Sequence, residues 1–166
     1  MIQKKVCLLG AFATGKTSLV ARFVRSVFSE KYLTTVGVMI ERKTVATNAG
    51  DVNLILWDLH GEDEFQKVRA SYLRGTAGLL FVVDGTRRDT LERALLLYEE
   101  SRIAIGPVPG VFALSKCDLV DAWELTDDDL RRLETAGCTW IRTSAKTGEG
   151  VELAFARLVA GMVGHD

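Results

Sequence analysis

Short apolar runs alternate along the chain with longer segments in which apolar residues recur at helical spacing. The apolar runs occupy residues 6–9, 53–57, 78–83, 110–114 and, more weakly, 139–141. The segments of helical period lie at residues 16–24, 64–74, 90–103, 126–136 and 150–162. Because the runs are apolar at nearly every position, we expect strands that are covered on both faces, as in a mostly parallel sheet. The pattern predicts an α/β fold with helices on both faces of one sheet.

One pair of strands breaks the parallel pattern. Residues 38–47 and 52–59 are separated only by residues 48–51, the turn-forming sequence Asn-Ala-Gly-Asp. Because this connection is too short to contain a crossover helix, the two strands are expected to form a hairpin. The sequence therefore predicts a six-stranded sheet in which 38–47 is an antiparallel edge strand.

Turn and cap residues indicate where the elements end. Thr126 followed by Asp129 is typical of a capping box at a helix start, and Gly137 is typical of a helix end. The two prolines, Pro107 and Pro109, fall together in a predicted helix-to-strand loop. No repeat, low-complexity tract or linker interrupts the pattern, so we expect a single domain over residues 1–166.

Composition excludes several classes of protein. The 166 residues are 48% hydrophobic and 26% charged with a net charge of -1, which argues against a disordered chain and against a strongly basic nucleic-acid binder. Cys7, Cys117 and Cys138 have no disulfide or metal spacing and are expected to be buried, reduced thiols. With no secretory leader, no spanning apolar stretch and no cysteine at the last positions, we expect a cytoplasmic protein without a membrane anchor of its own.

The strongest chemical signal is the sequence GAFATGKT at residues 10–17, between the first predicted strand and the first predicted helix. It fits the phosphate-binding pattern G-x-x-x-x-G-K-[ST], in which backbone N–H groups and a helix N-terminus surround a phosphate. Lys16 is expected to reach the β- and γ-phosphates, and the Thr17 hydroxyl to bind Mg²⁺. An ordinary glycine-rich turn is the alternative, and the strand-to-helix context disfavours it. The predicted phosphate-site residues are Gly10, Ala13, Thr14, Gly15, Lys16, Thr17 and Ser18.

Asp58 and Gly61 provide a second signal at the end of an apolar strand. Ligands of open α/β sheets bind at the carboxyl ends of the strands, where the Asp58 carboxylate can hold a water on Mg²⁺. The Gly61 N–H can approach a γ-phosphate. An Asp-x-x-Gly sequence alone is usually just a turn, but about forty residues after a phosphate-binding loop it favours a nucleotide site.

With these motifs in place, the chain resembles small GTPases of the Ras superfamily, and most of all the Rab branch. The resemblance covers essentially the whole chain and is strongest over ILWD at 55–58, SYLRG at 71–75 and VVDGT at 82–86. It implies that Thr35 completes the Mg²⁺ shell and senses the γ-phosphate, and that Phe28 packs on guanine. It also implies that effector and regulator proteins bind through the segments Tyr32–Gly37 and Gly61–Arg74.

Two further segments match the base-binding loops of that family. SKCD at 115–118 stands where the family has Asn-Lys-x-Asp, and TSAK at 143–146 matches the second loop. The Asp118 carboxylate can accept hydrogen bonds from guanine N1–H and the exocyclic amine, a pairing that adenine cannot offer. The Lys116 stem can cover one face of the base, and the Ala145 N–H can meet O6. The predicted base-site residues are Ser115, Lys116, Asp118, Ser144, Ala145 and Lys146.

Four departures from the family pattern affect the expected chemistry. Ser115 replaces the asparagine whose amide ordinarily ties this loop to the phosphate-binding loop, so nucleotide affinity is expected to fall about tenfold. Glu62 replaces the glutamine that orients the attacking water, and its carboxylate can either accept a proton or repel the phosphates. Phe12 is expected to obstruct an arginine finger supplied by a partner. His60 is expected to be a solvent-facing turn residue, with a base or sensor as the alternative.

These observations leave two hypotheses from different classes. The first is a GTPase switch with Lys16, Thr35, Gly61 and Glu62 as its catalytic residues, Thr17, Thr35 and Asp58 as its metal ligands, and slow intrinsic hydrolysis. The second is a binding module that keeps the nucleotide but scarcely hydrolyses it, as Glu62 and Phe12 would permit. A small-molecule kinase is disfavoured, because the chain has no lid insertion and Asp118 would reject adenine.

Overall fold

The computed structural model describes residues 2–25, 38–59 and 70–163, and its centre is a six-stranded sheet. The strand order across the sheet is β2-β3-β1-β4-β5-β6. The strands are β1 (Ile2–Leu9), β2 (Val38–Thr47), β3 (Gly50–Leu59), β4 (Thr76–Asp84), β5 (Gly110–Ser115) and β6 (Thr139–Arg142). The helices are α1 (Lys16–Arg25), α2 (Ala70–Leu73), α3 (Asp89–Ile105), α4 (Asp127–Thr135) and α5 (Val151–Val163), with a short 3₁₀ helix at Val120–Ala122.

Strand direction agrees with the prediction from the sequence. β1 runs parallel to β3 and β4, β4 parallel to β5, and β5 parallel to β6, whereas β2 pairs antiparallel with β3 at the edge. The α/β fold with one antiparallel edge strand is thus confirmed. The predicted four-residue hairpin loop is wrong in length, because Gly50 and Asp51 pair with Thr47 and Ala46 and belong to β3.

Two apolar layers cover the two faces of the sheet. Val6 and Leu8 of β1 point into a core that includes Phe23 of α1 and Phe155 of α5, whose rings stack 3.8 Å apart. Cys7 and other alternate residues of the strands point into the opposite core, which packs against α2, α3 and α4. Burial on both faces explains why the central strands are apolar at almost every position.

The helices lie where the hydrophobic period predicted them, with shifted ends. α4 begins with the predicted capping box, in which Thr126 accepts from the Asp129 N–H and the Asp129 carboxylate accepts from the Thr126 N–H, and it ends just before Gly137. α3 extends two residues beyond its predicted end, and α2 ends at Leu73 rather than at residue 74. The earlier part of the predicted second helix, residues 64–69, lies outside the described residues, and the 3₁₀ helix was not predicted.

The cysteines are free, as expected, but they are not all buried. Cys7 and Cys138 are buried, while Cys117 is partly exposed in the loop after β5. Burial and the nearby Glu149 carboxylate raise the pKa of the Cys117 thiol to about 11, which keeps it protonated at neutral pH. In the described ranges, none of the helices has both the length and the apolar character needed to cross a bilayer.

Candidate functional site

The carboxyl ends of β1, β3, β4, β5 and β6 lie at one edge of the sheet, because these strands are parallel. This is where the open α/β architecture places ligands. Every described residue that the sequence assigned to a nucleotide site lies at the end of one of these strands, in the loop after it or in the first turn of α1.

The phosphate-binding loop joins the end of β1 to the start of α1. A side chain at Gly10 would place its Cβ only 2.5 Å from the carbonyl oxygen of Val82, so the close approach of this loop to β4 requires glycine. Gly15 has a φ of +101°, which also favours glycine. The Lys16 ammonium lies inside the loop and donates to the carbonyl oxygens of Gly10 at 3.0 Å and Ala11 at 3.3 Å. The loop therefore has a buried cation and a helix N-terminus at its centre.

Two oxygen ligands suited to a divalent cation stand next to that loop. The Thr17 hydroxyl at the start of α1 donates to Oδ2 of Asp58 over 2.7 Å, and the Asp58 residue is only 1% exposed. β1 and β3 are neighbours in register, with Leu8 opposite Asp58, and this pairing brings the two residues together across the sheet. A hydroxyl and a carboxylate are hard oxygen donors of the kind that Mg²⁺ prefers, so the pair fits that ion.

A cavity of about 290 Å³ opens beside the phosphate-binding loop. It is bounded by α1, by the loop after β5 and by the loop after β6. Seven of the residues predicted from the sequence line it: Gly15, Ser18, Ser115, Lys116, Asp118, Ala145 and Lys146. Its volume is close to the lower end of the range for small-molecule sites.

Four lining residues were missed by the sequence reasoning: Leu19, Ala21, Arg22 and Leu119. Ser18, Ala21 and Arg22 lie three and four positions apart on α1, the spacing of one helix face, which was the available signal. Leu119 directly follows the SKCD sequence.

Hydrogen bonds between the two base loops fix the carboxylate at the cavity. The Ser144 hydroxyl donates to Oδ1 of Asp118 at 2.8 Å, and the Cys117 N–H donates to the Thr143 carbonyl at 3.0 Å. Ser144 therefore supports Asp118 rather than lining the cavity. Because Oδ2 of Asp118 takes no part in the Ser144 contact, the carboxylate can accept from a ligand as well.

Ser115 corrects an expectation drawn from the sequence. Its Oγ lies 2.6 Å from the carbonyl oxygen of Thr14 and 2.9 Å from that of Val83, and the residue is buried. The serine thus ties the base loop to the phosphate-binding loop, and the expectation that this link is lost without an asparagine amide is wrong. The serine side chain is shorter than that of asparagine, but its hydroxyl reaches the phosphate-binding loop because the two loops lie close together here. A Cβ atom added at Gly15 would lie only 3.8 Å from the Ser115 Oγ, which also indicates this close approach.

Asp84 is a further site residue that the sequence reasoning did not single out. It ends β4 and accepts from the Lys116 ammonium at 2.7 Å, while the Lys116 side chain lines the cavity. Burial alone would raise the pKa of Asp84, but hydrogen bonds from Lys116, Thr86 and Arg87 outweigh it and lower the pKa to about 2. The available signal was its position at the carboxyl end of an apolar strand, the same signal that identified Asp58.

Several predicted residues lie outside the described residues: Phe28, Thr35, His60, Gly61 and Glu62. The same holds for Tyr32–Gly37 and for most of Gly61–Arg74, of which Arg74 follows the last residue of α2. Phe12 is described and is 67% exposed at the outer bend of the phosphate-binding loop.

Comparison with known proteins gives consistent matches over nearly the whole chain. The model of the Ras family matches residues 5–163. The Ras-related protein RABF2b of Arabidopsis thaliana is 35% identical, over 93% of this chain and 78% of its own length. The Ras-related protein Rab-32A of Dictyostelium discoideum is 32% identical, over 98% of this chain and 78% of its own. The Ras-related protein Rab-1 of Theileria annulata is 30% identical, over 95% of this chain and 73% of its own.

Proposed function

The chain belongs to the Ras family and is Rab-like, and on this premise we propose that it is a switch that binds GTP and GDP with Mg²⁺ and hydrolyses GTP slowly. Membership in the family supports a GTP-binding switch and a GTP hydrolase in general. The observation that carries the proposal is the cavity of about 290 Å³ that adjoins the phosphate-binding loop and has the Asp118 carboxylate in its wall.

Guanine recognition is assigned to the two base loops. Asp118 offers two acceptor oxygens to guanine N1–H and the exocyclic amine, and Ser144 holds it in place from behind. Adenine has no donor at position 1, so it would leave the carboxylate without that hydrogen bond, which costs binding free energy. Lys116 and Leu119 supply apolar surface from one side, and α1 supplies it from the other.

The phosphates are assigned to the loop of residues 10–17. Lys16 would exchange its contacts with the Gly10 and Ala11 carbonyls for phosphate oxygens, which are stronger partners because they are charged. Thr17 and Asp58 would hold Mg²⁺, with Thr35 as a further ligand outside the described residues. When bound, Mg²⁺ neutralises charge on the β- and γ-phosphates.

Slow hydrolysis is assigned to Glu62. A neutral amide orients the attacking water without adding charge, whereas an ionised carboxylate beside the phosphate oxygens also adds repulsion. Phe12 is 67% exposed on the phosphate-binding loop, and its bulky ring would obstruct an arginine finger supplied by a partner. The second candidate function, a Rab-like interaction module that keeps the nucleotide and scarcely hydrolyses it, rests on these same two residues.

Partner binding is assigned to the segments Tyr32–Gly37 and Gly61–Arg74. In a switch of this kind, GTP with Mg²⁺ orders segments next to the γ-phosphate, and hydrolysis releases them. Effector and regulator proteins would therefore recognise one nucleotide state through these two segments.

Single-turnover hydrolysis of GTP distinguishes the two candidate functions. We expect the purified protein to convert bound GTP to GDP slowly but measurably, and Glu62→Gln to do so faster because the repulsion is removed. Lys16→Ala is the matched control, since it removes the phosphate contact and should abolish retention of the nucleotide. A parent without measurable turnover would favour the interaction module, and a Glu62→Gln variant slower than the parent would show that the carboxylate acts as the base.

A further inference from the structure

Asp84 is the centre of a charged cluster that spans the two halves of the proposed nucleotide site. Its side chain is 1% exposed. Oδ2 accepts from Lys116 Nζ at 2.7 Å and from Arg87 Nε at 3.0 Å, and Oδ1 accepts from the Thr86 N–H at 2.9 Å and its hydroxyl at 2.7 Å. A buried carboxylate with four donors is held in one position, because losing any donor leaves part of its charge uncompensated.

Arg87 connects this cluster to the phosphate-binding loop. While its Nε donates to Asp84, its Nη2 donates to the carbonyl oxygen of Phe12 at 2.8 Å. One planar guanidinium therefore bridges a buried carboxylate and the loop backbone in a fixed fork geometry. Phe12 lies 75 residues from Arg87 along the sequence, whereas Asp84 lies only 3 residues from it. Arg87 therefore joins two parts of the chain that are distant in sequence.

The Phe12 carbonyl is an effective point at which to hold the loop. The peptide bond is planar and trans, so the carbonyl of Phe12 and the N–H of Ala13 point in opposite directions from one rigid unit. Fixing the carbonyl therefore fixes the direction of the Ala13 N–H, one of the predicted phosphate contacts. Ala13 has a φ of +59°, a conformation that costs free energy for a residue with a side chain and that needs such support.

The same cluster supports the base loop. Lys116 has a φ of +65°, again a left-handed conformation at a residue with a side chain. Its ammonium is fixed by Asp84, and its stem lies along the cavity wall. Oδ2 of Asp84 thus accepts from Lys116, the strained residue of the base loop. The same oxygen accepts from Arg87, which also binds the phosphate-binding loop.

We propose that Asp84 and Arg87 are a positioning pair that couples the phosphate-binding loop to the base loop, so that retention of the nucleotide depends on Arg87 through the Phe12 carbonyl. This inference rests on the proposed function of guanine-nucleotide binding. It gives a role to Arg87, which lies just before α3, does not line the cavity and belongs to none of the nucleotide-binding motifs.

The neighbouring arginine supplies a matched control. Arg88 also binds a buried carboxylate, with Nη2 at 2.8 Å from Oδ1 of Asp129, whose side chain is 1% exposed. That pair ties the start of α3 to the start of α4 and makes no contact with the phosphate-binding loop among the described residues. Arg87→Ala and Arg88→Ala therefore each remove the ion pair of an arginine with a buried carboxylate, and only the first also releases the Phe12 carbonyl.

The test compares the full chain with Arg87→Ala, Arg87→Lys and Arg88→Ala, each loaded with fluorescent GDP and chased with unlabelled GDP. We expect Arg87→Ala to release GDP about tenfold faster or more, equivalent to about 1.4 kcal/mol of binding free energy at a constant association rate. Arg87→Lys should be intermediate, because an ammonium keeps the charge but lacks the fork. Arg88→Ala should stay within about twofold of the parent, because Arg88 binds Asp129 and not the phosphate-binding loop among the described residues. Equal release rates for Arg87→Ala and Arg88→Ala would overturn the proposal.

A second readout separates this inference from the proposed function. Amide hydrogen exchange over residues 10–17 is measured for each variant without added nucleotide. Arg87→Ala should exchange faster in this segment than the parent and Arg88→Ala, because the loop is released locally. If the parent retains no guanine nucleotide, the proposed function fails. The exchange rates still show whether Arg87 couples the phosphate-binding loop to the base loop. Unchanged exchange in both Arg87→Ala and Arg87→Lys would overturn this coupling.

Discussion

At the residue scale, selectivity for the base depends on the charge of one side chain. Asp118 lies in the cavity wall and is oriented by the Ser144 hydroxyl. Asp118→Asn replaces one acceptor oxygen by an NH₂ donor that faces the donors of guanine, so affinity for GDP should fall by about tenfold or more while affinity for ADP changes little. Isothermal titration calorimetry measures both affinities. Asp121→Asn, an exposed site in the nearby 3₁₀ helix, is the control, and an equal loss of GDP affinity there would contradict the assignment.

Ser115 allows a second prediction at the same scale. Its hydroxyl is within hydrogen-bond distance of the Thr14 and Val83 carbonyls, which are both backbone groups of neighbouring elements. Ser115→Ala removes that donor and should weaken GDP binding by up to about tenfold, the worth of one neutral hydrogen bond in a buried position. Equilibrium titration with fluorescent GDP measures the change. An unchanged dissociation constant would mean that the link between the loops does not support the nucleotide.

Individual residues also show which site roles could be predicted from the sequence. The sequence predicted site roles for Lys16, Thr17 and Asp58 from motif and strand position, and both of these cues are local. The role of Ser115 was misjudged because it depends on a contact between residues 101 positions apart, and sequence spacing says nothing about that distance. Arg87 was missed for the same reason, since its partner Phe12 is 75 positions away.

At the scale of elements, the ionised Asp84 joins the end of β4 to Thr86 and Arg87, which precede α3, and to Lys116 in the loop after β5. Its pKa is lowered from 3.8 to about 2 in the folded state, so its interactions contribute fully above about pH 4 and are lost as the pH falls toward 2. We expect the difference in unfolding free energy between the parent and Asp84→Asn to be largest near neutral pH and to shrink below pH 4. Urea unfolding of both proteins from pH 7 to pH 2 measures it. A difference that stays constant over this range would show that Asp84 is not held as a charged group.

The elements themselves were predicted well where burial determines the pattern. β1, β4 and β5 are covered on both faces, so their apolar runs could be recognised directly. The capping box of Thr126 and Asp129 set the start of α4 because the capping signal is local. The predicted hairpin turn was too long, because the pairing of Gly50 and Asp51 with the neighbouring strand depends on cross-strand hydrogen bonds rather than on residue type.

At the scale of the whole molecule, the parallel strands bring side chains from their carboxyl ends and from the loops after β1, β5 and β6 together at one edge of the sheet. The strand order places the end of β1 between the ends of β3 and β4. Thr17 and Asp58 then meet beside the phosphate-binding loop, and Ser115, Lys116 and Asp118 line the cavity. This convergence could be expected once the parallel fold was predicted, whereas the volume and shape of the cavity could not.

Competition binding tests most directly whether the cavity beside the phosphate-binding loop holds a guanine nucleotide. The protein is loaded with fluorescent GDP in the presence of Mg²⁺ and titrated with unlabelled GDP and, separately, with ADP. We predict that GDP displaces the probe at concentrations at least about a hundredfold lower than ADP does, because only guanine offers both donors to the Asp118 carboxylate. Displacement by ADP at the same concentration as GDP, or failure of the protein to hold the probe, would contradict it.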